Sequence, residues 1–186
     1  AFRFQGVYRQ PLKQKNKLSE FTILITLYSV MEEALTAINF ALDTHLMLEN
    51  EISIKWKIKP HPLTNKNKLI ASLGRCLPES WEWVDKDFHE SLDDVDVLMG
   101  NSSTTCVEAL AREKYVIIIG NLYGITHNPI PSSVPHYLWG ICYSPLEASG
   151  VLKHCANEVV GVKSDTSVRS SFFEPLTHEG ILGLLF

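Results

Sequence analysis

The sequence predicts an α/β fold, a doubly wound parallel sheet of about six strands with helices on both faces. Short runs of aliphatic and β-branched residues alternate along the chain with longer stretches in which apolar residues recur at helical spacing. The first run, Phe21 to Tyr28, is apolar almost throughout, which is typical of a strand buried on both faces of a parallel sheet. Because strand and helix signals alternate, the simplest architecture has a helix crossing between successive parallel strands.

The individual elements can be assigned in order from this pattern. Ser29 and Glu32 form a capping box, which predicts that the first helix begins directly after the first strand and runs to about Glu49. Alternating apolar residues from Ile52 to Ile58 predict a second strand with one face partly open to water. The other predicted strands are residues 81–84, 95–99, 115–119 and 139–143, and the other predicted helices are residues 65–73, 87–92, 104–113, 145–157 and a last one from residue 175.

Composition and charge restrict the kind of protein that this chain can be. Its 186 residues are 45% hydrophobic and 20% charged, which is the balance of an ordinary globular domain. The formal net charge of -4 offers no basic field for bulk nucleic-acid binding.

The cysteines form no CxxC pair, no apolar run is long enough for a membrane span, and the start of the sequence does not resemble a signal peptide. We therefore expect a reduced, cytoplasmic setting.

The beginning of the chain differs in character from the rest. Residues 1–20 are basic and are interrupted by Gly6, Pro11 and Asn16, so we interpret them as a linker or extended arm. Residues 21–186 then form the folded domain.

The first candidate binding segment is Lys59-Pro60-His61-Pro62, at the end of the second predicted strand. The two prolines restrict the backbone on either side of His61 and so fix the direction of its imidazole ring. An imidazole and a nearby ammonium group both suit a phosphate oxygen. The alternative interpretation is a proline-bracketed turn whose histidine only caps a neighbouring element.

The second candidate segment is GNSSTTCVE, residues 100–108, between a predicted strand and the helix after it. Small hydroxyl residues at a helix start, together with the free N–H groups and the helix dipole, make an anion site. The same residues are also preferred helix caps, and Thr105 with Glu108 spells a capping box that would occupy the carboxylate. If Ser103 is the cap instead, Glu108 is freer to accept hydrogen bonds from a ribose diol.

We favour structural explanations for the other polar clusters. Asp93, Asp94 and Asp96 lie at the start of a predicted strand, opposite the expected ligand edge. We interpret them as a solvated face or helix end and predict no metal site. His127 and His136 lie in a proline-containing loop that could close over a ligand, although such histidines are usually surface residues. Neither a Walker loop nor a GxGxxG motif occurs, which argues against classical P-loop and dinucleotide-binding proteins.

Together, the two candidate segments resemble the C-terminal domain of GT-B glycosyltransferases, in particular the bacterial group that builds surface polysaccharides. That group includes GT-B sialyltransferases, Kdo transferases and CDP-glycerol polymerases, which share an HP motif and a serine-rich motif. Here the motifs are the His-Pro pair at residues 61–62 and the SST segment at residues 102–104, followed by Glu108. The similarity extends loosely over residues 21–155, and it implies a Rossmann-like fold that is one half of a GT-B structure.

The resemblance implies roles for three charged or polar side chains. His61, our candidate catalytic residue, would contact the phosphate of a nucleotide sugar, with Lys59 beside it. Glu108 would bind the ribose hydroxyls. The departing phosphate needs stabilising charge, which His61, Lys59 and the helix start at Ser103 can supply without a metal or other cofactor.

Further donor-binding residues follow from the same resemblance. Ser102, Ser103 and Thr104 would bind phosphate or the carboxylate of a sialic-acid-type donor. The backbone near Val84 and Asp85 would face the nucleobase. Members with the HP motif mostly use cytidine nucleotides, so a CMP or CDP donor is expected over UDP. Weaker candidates for lining the cleft are Ser29, Asn121, Tyr123 and Gly124.

The resemblance also implies that this chain is incomplete as an enzyme. In this family the N-terminal acceptor domain normally supplies the general base, and there is no room for such a domain before Phe21. We expect the chain to bind a nucleotide sugar but to transfer sugar poorly or not at all. The full-length protein would build polysaccharide or glycolipid and could associate peripherally with a membrane. The alternatives are a sugar-nucleotide 2-epimerase, which shares the GT-B fold, and a non-enzymatic flavodoxin-like or receiver-like interaction domain.

Overall fold

Strands and helices alternate along the whole described part of the chain, which in this computed structural model comprises residues 20–157 except 102, 122 and 133. The strands are β1 (Phe21–Thr26), β2 (Ile54–Lys59), β3 (Glu82–Trp83), β4 (Val97–Gly100), β5 (Tyr115–Ile119) and β6 (Trp139–Cys142). The helices are α1 (Met31–Leu48), α2 (Lys66–Ser72), α3 (Phe88–Ser91), α4 (Thr104–Ala111) and α5 (Pro145–Asn157), and a short 3-10 helix (His136–Leu138) precedes β6. The predicted arm and the predicted last helix lie outside the described residues.

The six strands form one parallel sheet in the order β3-β2-β1-β4-β5-β6. This confirms the predicted fold class, and the order is that of a Rossmann sheet, in which the chain reverses direction across the sheet between β1 and β4. The flavodoxin-like alternative is wrong in topology, because that fold places the third strand beside the first. No helix among the described residues is long and apolar enough to span a membrane.

Alternate residues of the strands point to opposite faces of the sheet and form two hydrophobic cores. One core lies against α1, α2 and α5, and the other lies against α3, α4 and the loop before β6. In β1, Ile23 and Ile25 belong to the first core and Leu24 to the second. Because both faces are covered, the central strands are apolar almost throughout, which is why β1 is visible in the sequence.

The predicted capping box at the start of α1 is wrong. The N-cap residue is Val30, whose carbonyl accepts a hydrogen bond from the amide of Ala34 at 3.0 Å, and no side chain caps this helix. Ser29 therefore lies one position too early to act as the cap. Glu32 and Glu33 still occupy the first turn, where carboxylates interact favourably with the helix dipole.

The half-open character predicted for β2 is confirmed. Trp56 and Ile58 are buried, whereas Lys55 and Lys57 are only half-buried. On the side away from β1, β2 pairs with the two-residue strand β3, and Lys55 forms an ion pair with Glu82 of β3 at 3.0 Å.

The acidic cluster at the amino edge of the sheet agrees in part with its interpretation as a solvated face or helix end. Asp94 is exposed and Asp93 directly follows the C-cap of α3, whereas Asp96 is half-buried at the start of β4. Asp93 accepts a hydrogen bond from the buried guanidinium of Arg112 at 3.0 Å. Asp96 accepts one from the amide of Thr22 at 2.7 Å, which joins the starts of β1 and β4. In the described part of the chain, no group of three or more His, Cys, Asp or Glu residues could hold a metal ion.

A stack of aromatic rings closes the first core beside β2. The rings of Trp56 and Trp81 stack with centroids 5.1 Å apart, and His45 meets both edge-on at 5.8 and 5.7 Å. Desolvation in this setting lowers the pKa of His45 below its usual 6.5, against a smaller opposing effect of Glu49. The folded protein therefore favours the neutral imidazole.

The last residues of β1 and β4 lie close together at the carboxyl edge of the sheet. A Cβ atom added to Gly100 would lie 2.3 Å from Thr26 Oγ1 and 3.1 Å from the Thr26 carbonyl oxygen. Any other residue at position 100 would therefore force the Thr26 side chain, or the two strand ends, to shift.

We predict that replacing Gly100 with alanine destabilises the protein by about 1–3 kcal/mol, because the added methyl group overlaps Thr26. Urea denaturation measures the change. Gly150→Ala is the matched control. Its added Cβ meets nothing within 4 Å, and the substitution within α5 should stabilise by about 0.5–1 kcal/mol. Adding Thr26→Ala to Gly100→Ala should restore part of the loss. Equal effects of the two glycine substitutions would contradict the steric explanation.

We also predict a pH-dependent loss of stability that depends on His45. As pH falls through 6.5, the unfolded chain protonates this histidine before the folded chain does, so protonation favours unfolding. Urea midpoints between pH 7.5 and 5.5 should fall more steeply for the wild-type protein than for His45→Gln. Replacement of the exposed His154 by Gln provides the comparison at a histidine outside the aromatic stack. An unaltered slope in His45→Gln would refute the assignment.

Candidate functional site

The carboxyl ends of all six strands meet at one edge of the sheet, and β1 and β4 form its topological switch point. Open α/β sheets bind ligands in the crevice at this point, because the loops after the two switch strands run in opposite directions. Both candidate segments from the sequence lie at this edge: residues 59–62 follow β2, and residues 101–104 follow β4.

His61 is held in a fixed orientation at the end of β2. Its Nδ1 atom accepts a hydrogen bond from the amide of Leu63 at 3.2 Å, so the neutral ring carries its proton on Nε2. The loop is tied to the segment after β1 by the hydroxyl of Thr64, which donates to the carbonyl of Tyr28 at 3.3 Å. The half-buried imidazole therefore presents an N–H donor at the sheet edge.

Lys59 connects β2 to the loop after β3. Its ammonium group donates a hydrogen bond to the carbonyl of Lys86, and its own carbonyl accepts the amide of Leu27 at 3.0 Å. The amide of Val84 donates to the carbonyl of Ile58 at 2.8 Å. Val84 and Asp85, the predicted base-facing positions, thus lie directly beside the end of β2. Val84 is buried and Asp85 is exposed.

Ser103 is the N-cap of α4, and its hydroxyl accepts the amide of Thr105 at 3.4 Å. The capping box of Thr105 and Glu108 is therefore wrong, and the alternative with Ser103 as the cap is confirmed. Thr104 is the first residue of the helix, and Ser102 lies outside the described residues.

Glu108 is less open than the sequence suggested. Its side chain is only 10% exposed, and its Oε2 atom lies 3.7 Å from Nε2 of His89 on α3. Sequence reasoning missed His89, because nothing in a four-residue helix indicates which side chain faces α4. The pair joins the two helices that cover the second core below the sheet edge.

The predicted residues are thus divided between the two neighbours of β1. Adjacent strands lie about 4.8 Å apart, so the ends of β2 and β4 are separated by roughly 10 Å across β1. The residues on the β2 and β3 side are Lys59, His61, Val84 and Asp85, and those on the β4 side are Ser103, Thr104 and Glu108.

An open cleft of about 520 Å³ lies on the other half of the same edge, between α1 and the loops after β4, β5 and β6. Of the weaker candidates it includes Asn121 and Tyr123, but not Ser29 or Gly124. None of the main predicted residues that the structure describes lies in its walls. The cleft and the predicted anion site are neighbours, because Asn101 lines the cleft and directly precedes the SST segment.

Sequence reasoning missed the aromatic wall of this cleft, above all Tyr143. Its ring lies against Gly120, where an added Cβ would be 2.4 Å from the ring. A glycine at the end of one strand and an aromatic residue at the end of the next are the signal that would have indicated this contact.

Cys106, in the first turn of α4, is not a reactive group. Its Sγ atom lies 3.6 Å from the carbonyl oxygen of Asn101, and burial raises the pKa of the thiol to about 11. Burial also raises the pKa of Cys142, at the end of β6, to about 11. A thiolate nucleophile at this edge is therefore unfavourable at neutral pH.

Comparison with known proteins supports the fold. TarM has a TM-score of 0.60 to this chain at 13% identity, over 95% of this chain and 36% of that one. The glycotransferase of kitacinnamycin has a TM-score of 0.54 at 12% identity, over 87% of this chain and 41% of that one. The beta Kdo 2,4 transferase of KpsC from Thermosulfurimonas dismutans has a TM-score of 0.41 at 15% identity, over 63% of this chain and 41% of that one. This TM-score is too low to carry an argument. No protein-family model and no curated protein matches this sequence.

These likenesses define a Rossmann-like sheet of the kind that forms half of a GT-B fold. The chain spans only 36% and 41% of the length of the first two structures. At such low identity, they establish the architecture and not the activity.

We predict that native-state thiol modification at pH 8 is selective for Cys76, the exposed cysteine. A thiol with a pKa of about 11 is ionised to only about one part in a thousand at that pH, and burial restricts access further. Mass spectrometry should show rapid labelling at Cys76 and slow labelling at Cys106 and Cys142. Cys76→Ser should abolish the rapid phase. Rapid modification of Cys106 in the folded protein would contradict this assignment.

Proposed function

We propose that residues 21–186 form the nucleotide-sugar-binding half of a GT-B glycosyltransferase. The observation that carries this proposal is the position of two anion-binding groups on either side of the end of β1. His61 offers Nε2–H from one side, and the N-terminus of α4 at Ser103 offers amides and hydroxyls from the other. This arrangement suits a phosphate or diphosphate bound across the switch point.

Charge supports the same assignment. Lys59 and Lys86 lie on the β2 and β3 side, where the developing charge of a leaving phosphate would be stabilised. In this proposal, the imidazole N–H of His61 donates a hydrogen bond to the leaving phosphate group. Val84 and Asp85 would face the nucleobase, and Ser103 and Thr104 would hold the phosphate or a donor carboxylate.

Glu108 would accept hydrogen bonds from the ribose hydroxyls. Its carboxylate is mostly buried against His89, so ribose would reach it only at the edge of the α3–α4 contact. A cytidine donor, CMP- or CDP-linked, remains our preferred nucleotide from the sequence resemblance.

The rest of the proposal concerns the whole protein. The chain spans well under half the length of TarM and of the glycotransferase of kitacinnamycin, and the general base for the acceptor would come from an N-terminal acceptor domain. We propose that the complete enzyme works in the cytoplasm on a polysaccharide or glycolipid and associates peripherally with a membrane. Robust glycosyl transfer by this chain alone would contradict the assignment of a missing half.

We predict that calorimetric titration shows nucleotide binding, with CMP or CDP preferred over UDP and GDP. His61→Ala should weaken binding about tenfold or more, because a hydrogen bond to a charged group contributes about 1.5–3 kcal/mol. His154→Ala is the matched control, because this exposed histidine lies in the last turn of α5, where Lys153 pairs with Glu51 before the start of β2, whereas His61 follows the end of β2. Circular dichroism must show that both variants remain folded. Absence of binding to every nucleotide, or equal binding by His61→Ala, would refute the proposed site.

A further inference from the structure

The cleft beside the proposed phosphate site has a different chemistry from that site. Aromatic rings of Tyr28, Phe40 and Tyr143 contribute to its walls, together with hydroxyl and amide side chains. Among the described residues that line it, none is lysine or arginine, Glu33 is the carboxylate and His127 is the imidazole. With a volume of about 520 Å³, the cleft is of the size that holds a small organic ligand.

An anionic group would bind poorly in this cleft. A phosphate or carboxylate that entered it would lose water, meet the charge of Glu33 and find no lysine or arginine among the described lining residues. In the wall, Asn101 Oδ1 is buried without a hydrogen-bond partner among the described residues. An acceptor of this kind is satisfied by a hydroxyl or amino group and not by a phosphate oxygen.

Backbone hydrogen bonds and a close contact hold Tyr143 in the aromatic wall. The amide of Tyr143 donates to the carboxylate of Glu147 at 2.7 Å, and the amide of Glu147 donates to Ser144 Oγ at 3.2 Å. These two bonds fix the chain at the start of α5, and Gly120 leaves room for the Tyr143 ring. A preformed apolar wall with polar groups at its edge suits a ring that has apolar faces and hydroxyl groups around its rim.

From these features we infer that the cleft is a subsite for the ring of an uncharged or amino sugar, and that it rejects an acidic sugar. The inference rests on the proposed function, in which that ring is either the glycosyl group of the donor or the terminal sugar of the acceptor. Tyr28 connects the two sites, because its carbonyl accepts the hydroxyl of Thr64 from the His61 loop. The sugar class inferred here differs from the sialic-acid type that the sequence resemblance suggested.

Titration of the ¹⁵N-labelled chain, followed by NMR, tests this inference. Methyl glucoside and glucosamine should shift the amide signals of Gly120 and Tyr143, and glucuronate should bind about tenfold more weakly or not at all. Tyr143→Ala should weaken methyl glucoside binding about tenfold, and Tyr137→Ala, an exposed tyrosine outside the cleft lining, should not. Absence of these shifts, equal binding of glucuronate, or no effect of Tyr143→Ala would overturn the inference.

A second pair of variants tests the role of charge. Glu33→Gln should increase the relative affinity for glucuronate several-fold, because the repelling carboxylate is removed. Glu32→Gln, one position earlier on the same helix turn and outside the cleft lining, should leave it unchanged. An unchanged preference in Glu33→Gln would overturn the electrostatic part of the inference.

Further titrations distinguish the source of the sugar and separate the two proposals. If CDP-glucose shifts both the His61 and the Tyr143 signals and displaces methyl glucoside, the cleft holds the donor sugar. If it shifts only the His61 region and methyl glucoside binds alongside, the cleft holds the acceptor sugar. Both outcomes support the subsite. Binding of methyl glucoside that depends on Tyr143, without binding of CMP, would refute the proposed donor site and leave the sugar subsite standing.

Discussion

The contact between Thr26 and Gly100 is the constraint on which the ligand edge depends. It allows β1 and β4 to remain paired to their last residues, although the chain leaves them in opposite directions. The loop that carries His61 and the N-terminus of α4 are consequently held at a fixed separation on either side of β1. A wider gap between these strands would change that separation and the junction with the cleft at Asn101. The geometry of this edge thus depends on the absence of a side chain at position 100.

Most of the fold could be predicted from local sequence, because two covered faces demand long apolar strands. The bounds of β5 and α5 agree with the predicted ones at both ends. The first residue of each helix was harder to predict, since several nearby hydroxyl or acidic residues could each serve as the N-cap. At α1 the helix begins too late for Ser29 to cap it, whereas at α4 the cap is Ser103, one of the two positions considered.

The candidate anion site was accessible to sequence reasoning because each half is a continuous segment directly after a strand. The cleft was not accessible in that way. Its walls come from α1 and from the ends of several strands, and the contact of Tyr143 with Gly120 depends on the pairing of β5 with β6. Likewise, the approach of His89 to Glu108 depends on how two short helices pack together. Such contacts follow from topology, which a single sequence does not display.

The shortness of β3 has a consequence for how this molecule behaves at high concentration. An edge strand with free amides and carbonyls can recruit a strand of another molecule, which starts aggregation. At this edge the sheet ends in the two residues Glu82 and Trp83, and the ion pair of Lys55 with Glu82 places charge there. Because this edge strand is short and charged, it offers an incoming strand few backbone amides and carbonyls to pair with. A short, charged border of this kind disfavours intermolecular β-pairing along β3, on the side where the proposed nucleobase site lies.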